Sequence, residues 1–463
     1  MEPADCISPL DGRYRKTTEP LAKRFSENAL IAYRVRMEAE YLLALGALKG
    51  SPFKLSAGEQ KKLRALREIS SADAALVKKI ETAGHAGIPA TNHDVKAAEY
   101  FIRIRMKELG LEALSEWTHF ALTSEDTNNI AYALMLSDAL GCEIIPALEE
   151  VLAVLEKFAA NHAADPLLAR THGQPAVPTT FGKEFKVFAV RLNRQIKQLK
   201  AFKVPAKLNG AVGNYNAHMA ALPNADWLKF SKDFIAALNA ERKIKLEANL
   251  FTTQIESHDG LAELCDCMRR VNTILTGFSQ DIWRYISDGL IMQKTVAGEI
   301  GSSTMPQKVN PIDFENAEGN FGAANALFNY FATKLPISRL QRDLSDSTTQ
   351  RSIGSAFAYS VVGYRALLRG LGKIHVNREA ALAMLSASPE VLAEGLQTIL
   401  RREGVPGGYE KLKAVTRGQK PSMEMLTQFI DTLPVKPQVK AEMKKLRPEN
   451  YTGLAAKIAK LKY

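Results

Sequence analysis

Leu261-Ala262-Glu263-Leu264-Cys265-Asp266-Cys267-Met268-Arg269-Arg270-Val271-Asn272-Thr273-Ile274-Leu275-Thr276-Gly277-Phe278-Ser279-Gln280-Asp281-Ile282-Trp283-Arg284-Tyr285 is the stretch that decides the fold. Leu261, Leu264, Met268, Val271, Leu275, Phe278, Ile282 and Tyr285 recur at spacings of three and four over more than three heptads. That is the seam of a helix in a bundle or coiled coil. The pattern predicts one helix from about 258 to 292, about 50 Å long at 1.5 Å per residue.

Working outward, a second seam uses Phe185, Phe188, Leu192, Ile196 and Leu199. A third uses Ile145, Leu148, Leu152, Leu155 and Phe158, with Pro146 in the first turn, where its missing N–H is harmless. Residues 315–334 and 351–371 read as further helices, rich in Ala and Gly. Strand signals are sparse, with neither hairpin turns nor a βαβ rhythm. The expectation is an all-α chain with a central bundle of long helices. Its expected domains are an N-terminal helical one (1–121), the bundle (122–372) and a C-terminal helical one (373–463). Loops are expected at 50–56, 83–94 and Gly404–Gly408. Helices this long cannot bury all their apolar surface in one subunit, so a bundle shared between copies of the chain is expected.

The 463 residues are 46% hydrophobic and 24% charged, ordinary for a globular protein. Met1 to Asp5 offers neither the basic nor the apolar part of a signal peptide. No apolar run reads as long enough to cross a bilayer, since uncharged 208–225 is broken by four asparagines, two glycines, a histidine and a proline. No membrane partner and a cytoplasmic location are expected. The four cysteines are too few for a disulfide framework, and Cys265 and Cys267 read as small core residues rather than metal ligands. The net charge of +11 is spread along the chain. The nearest thing to a cluster, Lys436 to Lys462, reads as a solvated helical face, so no nucleic-acid partner is expected. Such a charge also suits a small polyanionic substrate.

Five polar clusters interrupt the apolar helices. The first, Gly301-Ser302-Ser303-Thr304-Met305-Pro306-Gln307-Lys308-Val309-Asn310-Pro311, reads as a mobile loop carrying a hydroxyl pair, a cation and an amide. With it goes Gln254, in Thr252-Thr253-Gln254-Ile255-Glu256. The second, Arg170-Thr171-His172-Gly173-Gln174-Pro175, reads as a loop between helices, with an imidazole able to move a proton near neutral pH. In the third, Thr91-Asn92-His93-Asp94, Asn92 or Thr91 reads as a helix cap and Asp94 stands where it could set the His93 tautomer. The fourth, Thr123-Ser124-Glu125-Asp126-Thr127-Asn128-Asn129, reads as a helix start capped by Ser124 or Thr127, and a helix start also binds carboxylate or phosphate. The fifth runs from Arg339 through Arg342 and Ser347-Thr348-Thr349-Gln350 to Arg351, and its three arginines and hydroxyls suit a multiply charged anion. Gly12-Arg13-Tyr14 poses the same question on a smaller scale. Phosphate-loop, dinucleotide, H-E-x-x-H and G-x-S-x-G patterns are missing from the sequence.

Taken together, these residues resemble the fumarase/aspartase superfamily. Gly301 to Pro311 is similar to its signature. The continuation Ile312-Asp313-Phe314-Glu315-Asn316-Ala317-Glu318-Gly319-Asn320 narrows the resemblance to the adenylosuccinate lyase family of bacterial purine synthesis. So do the 170–176, 123–129 and 92–94 clusters and Ser8-Pro9-Leu10-Asp11-Gly12-Arg13-Tyr14; the likeness runs from about residue 7 to the end. Gln307 departs from it, standing where the family usually has His; argininosuccinate lyase has Gln there, but Val309 and the other clusters do not fit that enzyme. A longer loop at 83–90 is a second departure.

The resemblance implies an all-helical, three-domain subunit and a homotetramer whose active sites each draw on three subunits. It implies β-elimination of fumarate from small succinylated purine nucleotides, with no cofactor and no metal. Ser302 would be the general base and His172 the general acid. Thr123, Ser124, Gln254 and Ser303 would hold the succinyl carboxylates, with Asn92, His93 and Asp94 beside them. Lys308 and Asn310, with Val309 between, would stabilise the carbanion. Arg13, Tyr14, Arg342, Ser347, Thr348, Thr349, Gln350 and Arg351 would hold the nucleotide, and Asn316 the loop or substrate. Two other readings stay open on the residues: a sister lyase (argininosuccinate lyase or a carboxymuconate cycloisomerase), supported by Gln307, and a non-catalytic or RNA-binding helical scaffold, supported by the charge.

Overall fold

The computed structural model describes residues 2–294, 305, 307–416 and 421–463. Its fold is all-α. The helix Asp259–Ser287 carries the deciding seam, and Leu264, Met268, Val271, Leu275, Phe278 and Ile282 are buried along it. It stops short of 292 because Gly289 takes a left-handed conformation (φ 71°). There the Leu290 N–H reaches back to the Tyr285 carbonyl at 2.9 Å, closing the helix. The chain then pairs Ile291–Gln293 with Ile374–Val376. Cys265 and Cys267 are core residues of this helix.

The other seams form the helices Phe181–Ala201, Ile312–Lys334 and Ile353–Lys373. The third differs from expectation. Ile145–Asn161 is not a separate helix, because a π-turn at Leu140–Ile144 joins it to Ser124–Ala139. Pro146 therefore sits inside a continuous helical run, just past the wider turn that accommodates its missing N–H. This fused run of 38 residues is long and apolar enough to cross a membrane by composition, contrary to the sequence expectation. The stretch that meets the criterion is 72% buried inside the protein, the mark of a core helix.

Among the described residues, six short strands pair two by two: β1 (Pro166–Thr171) with β2 (Gln174–Thr180), β3 (Val204–Ala206) with β4 (Leu246–Ala248), and β5 (Ile291–Gln293) with β6 (Ile374–Val376). Of these three pairs, β3–β4 is parallel and the others antiparallel.

The chain divides into two compact units. Unit 1 comprises 1–149, 195–273 and 319–365. One of its cores packs Val35, Ala39 and Leu42 with Val77, Ile80, Phe101, Ile102 and Met106. Unit 2 comprises 150–194, 274–318 and 366–463. In it Phe158 stacks on Phe185 at 3.7 Å, and Phe278 meets Phe185 edge-on at 5.1 Å. Gly182 is obligatory there, since a side-chain carbon would lie 2.4 Å from the Ala159 carbonyl oxygen. Leu396, Leu400, Leu426, Ile430 and Met443 form a further core in unit 2.

Candidate active site

Unit 1 presents its candidates at the starts of helices, on one short helix and in the segments between them. The helix Asp94–Glu108 is capped by His93, not by Asn92 or Thr91: its Nδ1 accepts the Lys96 N–H at 3.2 Å. Asn92 takes a left-handed conformation (φ 47°) one residue too early to cap. With Nδ1 accepting, a neutral His93 carries its proton on Nε2, and the ring is exposed. Asp94 does not orient it. The Asp94 Oδ2 instead accepts from Arg34 Nη2 at 2.8 Å and Arg351 Nη2 at 2.5 Å. Burial acts to raise the Asp94 carboxyl, but the two guanidiniums outweigh it and bring it down to about 2. Arg351 also reaches Glu27 at 3.2 Å.

The second helix start, Ser124–Ala139, is capped by Thr123 rather than Ser124 or Thr127. Ser124 is its first residue, and Thr127 is buried, donating to Glu38 at 2.8 Å. The Thr123 N–H donates to Asp126 at 2.9 Å. Glu125 faces inward, where Arg342 Nη2 meets it at 3.1 Å. Burial raises the Glu125 carboxyl to about 7 despite that partner. Arg342 Nη1 also donates to the Gln254 side chain at 3.2 Å, and the Gln254 N–H to the Gln341 carbonyl at 3.3 Å. The structure thus joins Gln254 to Arg342, and Asp94 to Arg351.

Ser347, Thr348, Thr349 and Gln350 lie on the short helix Ser345–Gln350. Thr349 donates to the Ser345 carbonyl at 2.9 Å, and Gln350 bonds the buried His258 ring at 3.0 Å. Burial lowers the His258 pKa. Arg13 is exposed and Tyr14 half-buried, ahead of the helix Arg15–Phe25. A cleft of about 470 Å³, lined by Asp11, Arg15, Glu27 and Arg351 among others, brings this N-terminal region to the arginine cluster. A larger cavity of unit 1, about 810 Å³ among Leu48, Pro223, Phe230 and Phe234, holds none of the candidates.

Unit 2 holds the rest. Residues 170–175 are not a loop between helices but the tip of the β1–β2 hairpin, with His172 (φ 52°) and Gly173 (φ 75°) as a two-residue turn. Positive φ at both positions is what such turns need. Pro175 and Pro178 hide the strand in a propensity reading. Arg170 Nη1 donates to the Gly173 carbonyl at 3.2 Å, and the His172 ring stands exposed at the tip. Lys308 is exposed, and its N–H donates to the Met305 carbonyl at 3.1 Å. The Val309 carbonyl accepts from Gln293 at 3.1 Å. Asn310 and Asn316 are half-buried, before and on the helix Ile312–Lys334. Ser302 and Ser303 lie outside the described residues.

The sequence reading passed over Arg34 and Lys207, two buried charges that contact site segments, and quoted Asp126 only within its helix-start cluster, with no role of its own. Arg34 meets Asp94 60 residues away, and Lys207 meets Asp126 81 residues away besides the nearby Gly210 carbonyl at 2.9 Å, so local pattern gives little sign of either. Within unit 1, the exposed His93 ring, a helix start and the arginines Arg342 and Arg351 are groups able to bind an anion.

Comparison with known proteins bears on this directly. A family model described as Lyase matches residues 12–325, and one described as Adenylosuccinate lyase C-terminal matches 338–452. The chain is 47% identical over 461 residues to adenylosuccinate lyase of Legionella pneumophila strain Corby, covering 98% of each chain. It is 46% identical over 454 residues to that of Escherichia coli K12, covering 97% of this chain and 96% of the other. The counterpart from Dictyostelium discoideum is 46% identical over 460 residues, with 97% and 96% covered. Among solved structures, 3-carboxy-cis,cis-muconate lactonizing enzyme from Pseudomonas putida shares the fold, with a TM-score of 0.71, 22% identity and 95% of each chain covered. With family models and relatives agreeing over nearly its whole length, the chain belongs to the adenylosuccinate lyase family of the fumarase/aspartase superfamily.

Proposed function

We propose that the chain cleaves adenylosuccinate to AMP and fumarate, and the succinylated aminoimidazole carboxamide ribotide to the ribotide amide and fumarate. Near-full-length identity to adenylosuccinate lyases is the observation that carries this reading. Ser302 takes the proton from the succinyl carbon beside a carboxylate; its electron pair delocalises onto that carboxylate as a carbanion. Lys308, Asn310 and the loop N–H groups stabilise the charge. The pair then forms the carbon–carbon double bond as the C–N bond breaks. His172 protonates the departing nitrogen. A serine hydroxyl is a weak base at its ordinary pKa, so Ser302 needs activation by the groups around it. His93 orients the substrate; Asn92 and Asp94 border it. Thr123, Ser124, Gln254 and Ser303 hold the succinyl carboxylates. Arg13, Tyr14, Arg342, Ser347, Thr348, Thr349, Gln350 and Arg351 hold the nucleotide, chiefly its phosphate. Val309 borders the site and Asn316 supports the loop or substrate. The chemistry calls for no cofactor or metal. The subunits act as a cytoplasmic homotetramer with sites built from three subunits. The test is ultraviolet assay of purified protein with adenylosuccinate and, separately, argininosuccinate. Turnover of adenylosuccinate alone is expected; turnover of argininosuccinate alone would overturn the reading.

A further inference from the structure

The segment 207–218 has no role in the reaction as proposed, yet it packs against two of its substrate-holding segments. Lys207 and Asp126 are both wholly buried, and Lys207 Nζ meets Asp126 Oδ1 at 2.7 Å. Asp126 Oδ1 also accepts the Asn209 N–H at 3.0 Å. Its Oδ2 accepts the Gly210 N–H at 3.1 Å and the Thr123 N–H at 2.9 Å. A carboxylate has about four lone-pair sites, and these contacts occupy them. One side chain therefore ties the start of the Ser124–Ala139 helix to the 207–210 turn.

The turn in turn grips a third segment. The Asn209 amide donates to Thr252 Oγ1 at 2.7 Å, and the same hydroxyl donates back to Asn209 Oδ1 at 3.1 Å. Gly213 (φ 83°) lies against the Thr252 carbonyl so closely that a side-chain carbon would come within 2.3 Å of it. Two residues beyond Thr252 stands Gln254. A buried ion pair is weak support for stability, because an apolar pair of similar volume often folds as well. A charged pair adds direction to the groups around it, since each donor must point at one oxygen.

We propose that the Lys207–Asp126 pair, acting through Asn209 and Thr252, is a positioning device that sets the Thr123–Ser124 turn and the Gln254 loop against each other to receive the two carboxylates of the substrate. The inference rests on the assignment of Thr123, Ser124 and Gln254 to those carboxylates. It makes Lys207, Asp126, Asn209 and Thr252 positioning residues, none of them touching substrate.

Thr252→Val is the first test, because Thr252 is half-buried and its loss removes the link without stranding a charge. The KM for adenylosuccinate is expected to rise about tenfold, roughly the worth of one well-placed hydrogen bond, with kcat changed less. Inhibition by fumarate should weaken by a similar factor. Inhibition by AMP, which lacks the dicarboxylate arm, should stay within about twofold. Amide hydrogen exchange should accelerate both at 123–126 and at 252–255. Equal weakening toward AMP and fumarate, or faster exchange at 252–255 alone, would overturn the proposal. Lys207→Met with Asp126→Leu removes both charges together and should reproduce the selective loss of fumarate binding. Should the wild type release no fumarate from adenylosuccinate, the functional reading falls. Exchange would then judge the mechanical link: faster in both segments supports it, faster in one sinks it.

Discussion

Glu125 and Asp94 lie at the two helix starts that carry substrate-holding candidates, and burial acts on both to raise their pKa. At Asp94 two guanidiniums prevail over burial; at Glu125 burial prevails over Arg342. The consequence for stability has a definite sign. An unfolded chain releases a glutamate proton near pH 4.3, whereas folded Glu125 keeps it until about 7. As pH rises through that window the unfolded state gains, so folding stability falls, by roughly 4 kcal/mol, and levels off above it. Glu125→Gln should flatten that slope: urea midpoints at pH 5 and pH 8 should differ less in the variant than in the wild type. An unchanged difference would refute the assignment. Arg342 keeps its Gln254 contact in that variant, so the comparison isolates the carboxyl. At the reacting centre the expectation concerns rate. Ser302→Ala and His172→Ala should each lower kcat by at least ~10²-fold, the scale of one acid–base group, with thermal midpoints unmoved. Near-normal turnover in both would remove them from the mechanism.

At the scale of elements, small residues show where helices tolerate no more atoms. Gly182 opens the helix Phe181–Ala201 against backbone: an added Cβ would stand 2.4 Å from the Ala159 carbonyl oxygen and 2.5 Å from the Ala163 Cα. Backbone cannot swing aside as a side chain can, so Gly182→Ala should cost about 1–3 kcal/mol in urea unfolding. Gly277 is the counter-case: its nearest neighbour, Phe188, would lie 3.9 Å away in ordinary contact. Gly277→Ala should therefore stabilise by about 0.5–1 kcal/mol through helix propensity alone. Opposite signs are the test; equal effects would mean that close packing is not what Gly182 serves. The same scale explains what was legible in the sequence. The long helices were, because Leu264, Met268, Val271 and Leu275 face the core at every turn and impose its period. The β1–β2 hairpin was not, because its strands carry prolines and its turn depends on a non-glycine residue at positive φ. The π-turn at Leu140–Ile144 was not, because it preserves helical appearance while shifting register by one residue. Polar clusters stood out as candidates by residue type alone. Lys207 was not, since its partner Asp126 lies 81 residues earlier.

For the whole molecule, the exposed apolar side chains ask for company. Phe251 is 92% and Leu340 90% exposed, each within three residues of a substrate-holding candidate, Gln254 or Arg342. Leu344 and Ile337 nearby are also exposed. Side chains of that size, left in solvent beside these candidates, suit contact with further copies of the chain. A site assembled from several subunits makes a prediction that no single-subunit site can share. Ser302→Ala and His172→Ala proteins, each inactive alone, are dissociated and reassembled together at equal amounts. If one site takes Ser302 and His172 from different subunits, about a quarter of the sites in random mixed oligomers receive both intact residues. Activity should return toward about a quarter of the wild-type value, and only after subunit exchange. Mixing without dissociation is the control and should stay inactive. Exchange confirmed by a mass-tagged subunit, with no return of activity, would place Ser302 and His172 of each site on one chain.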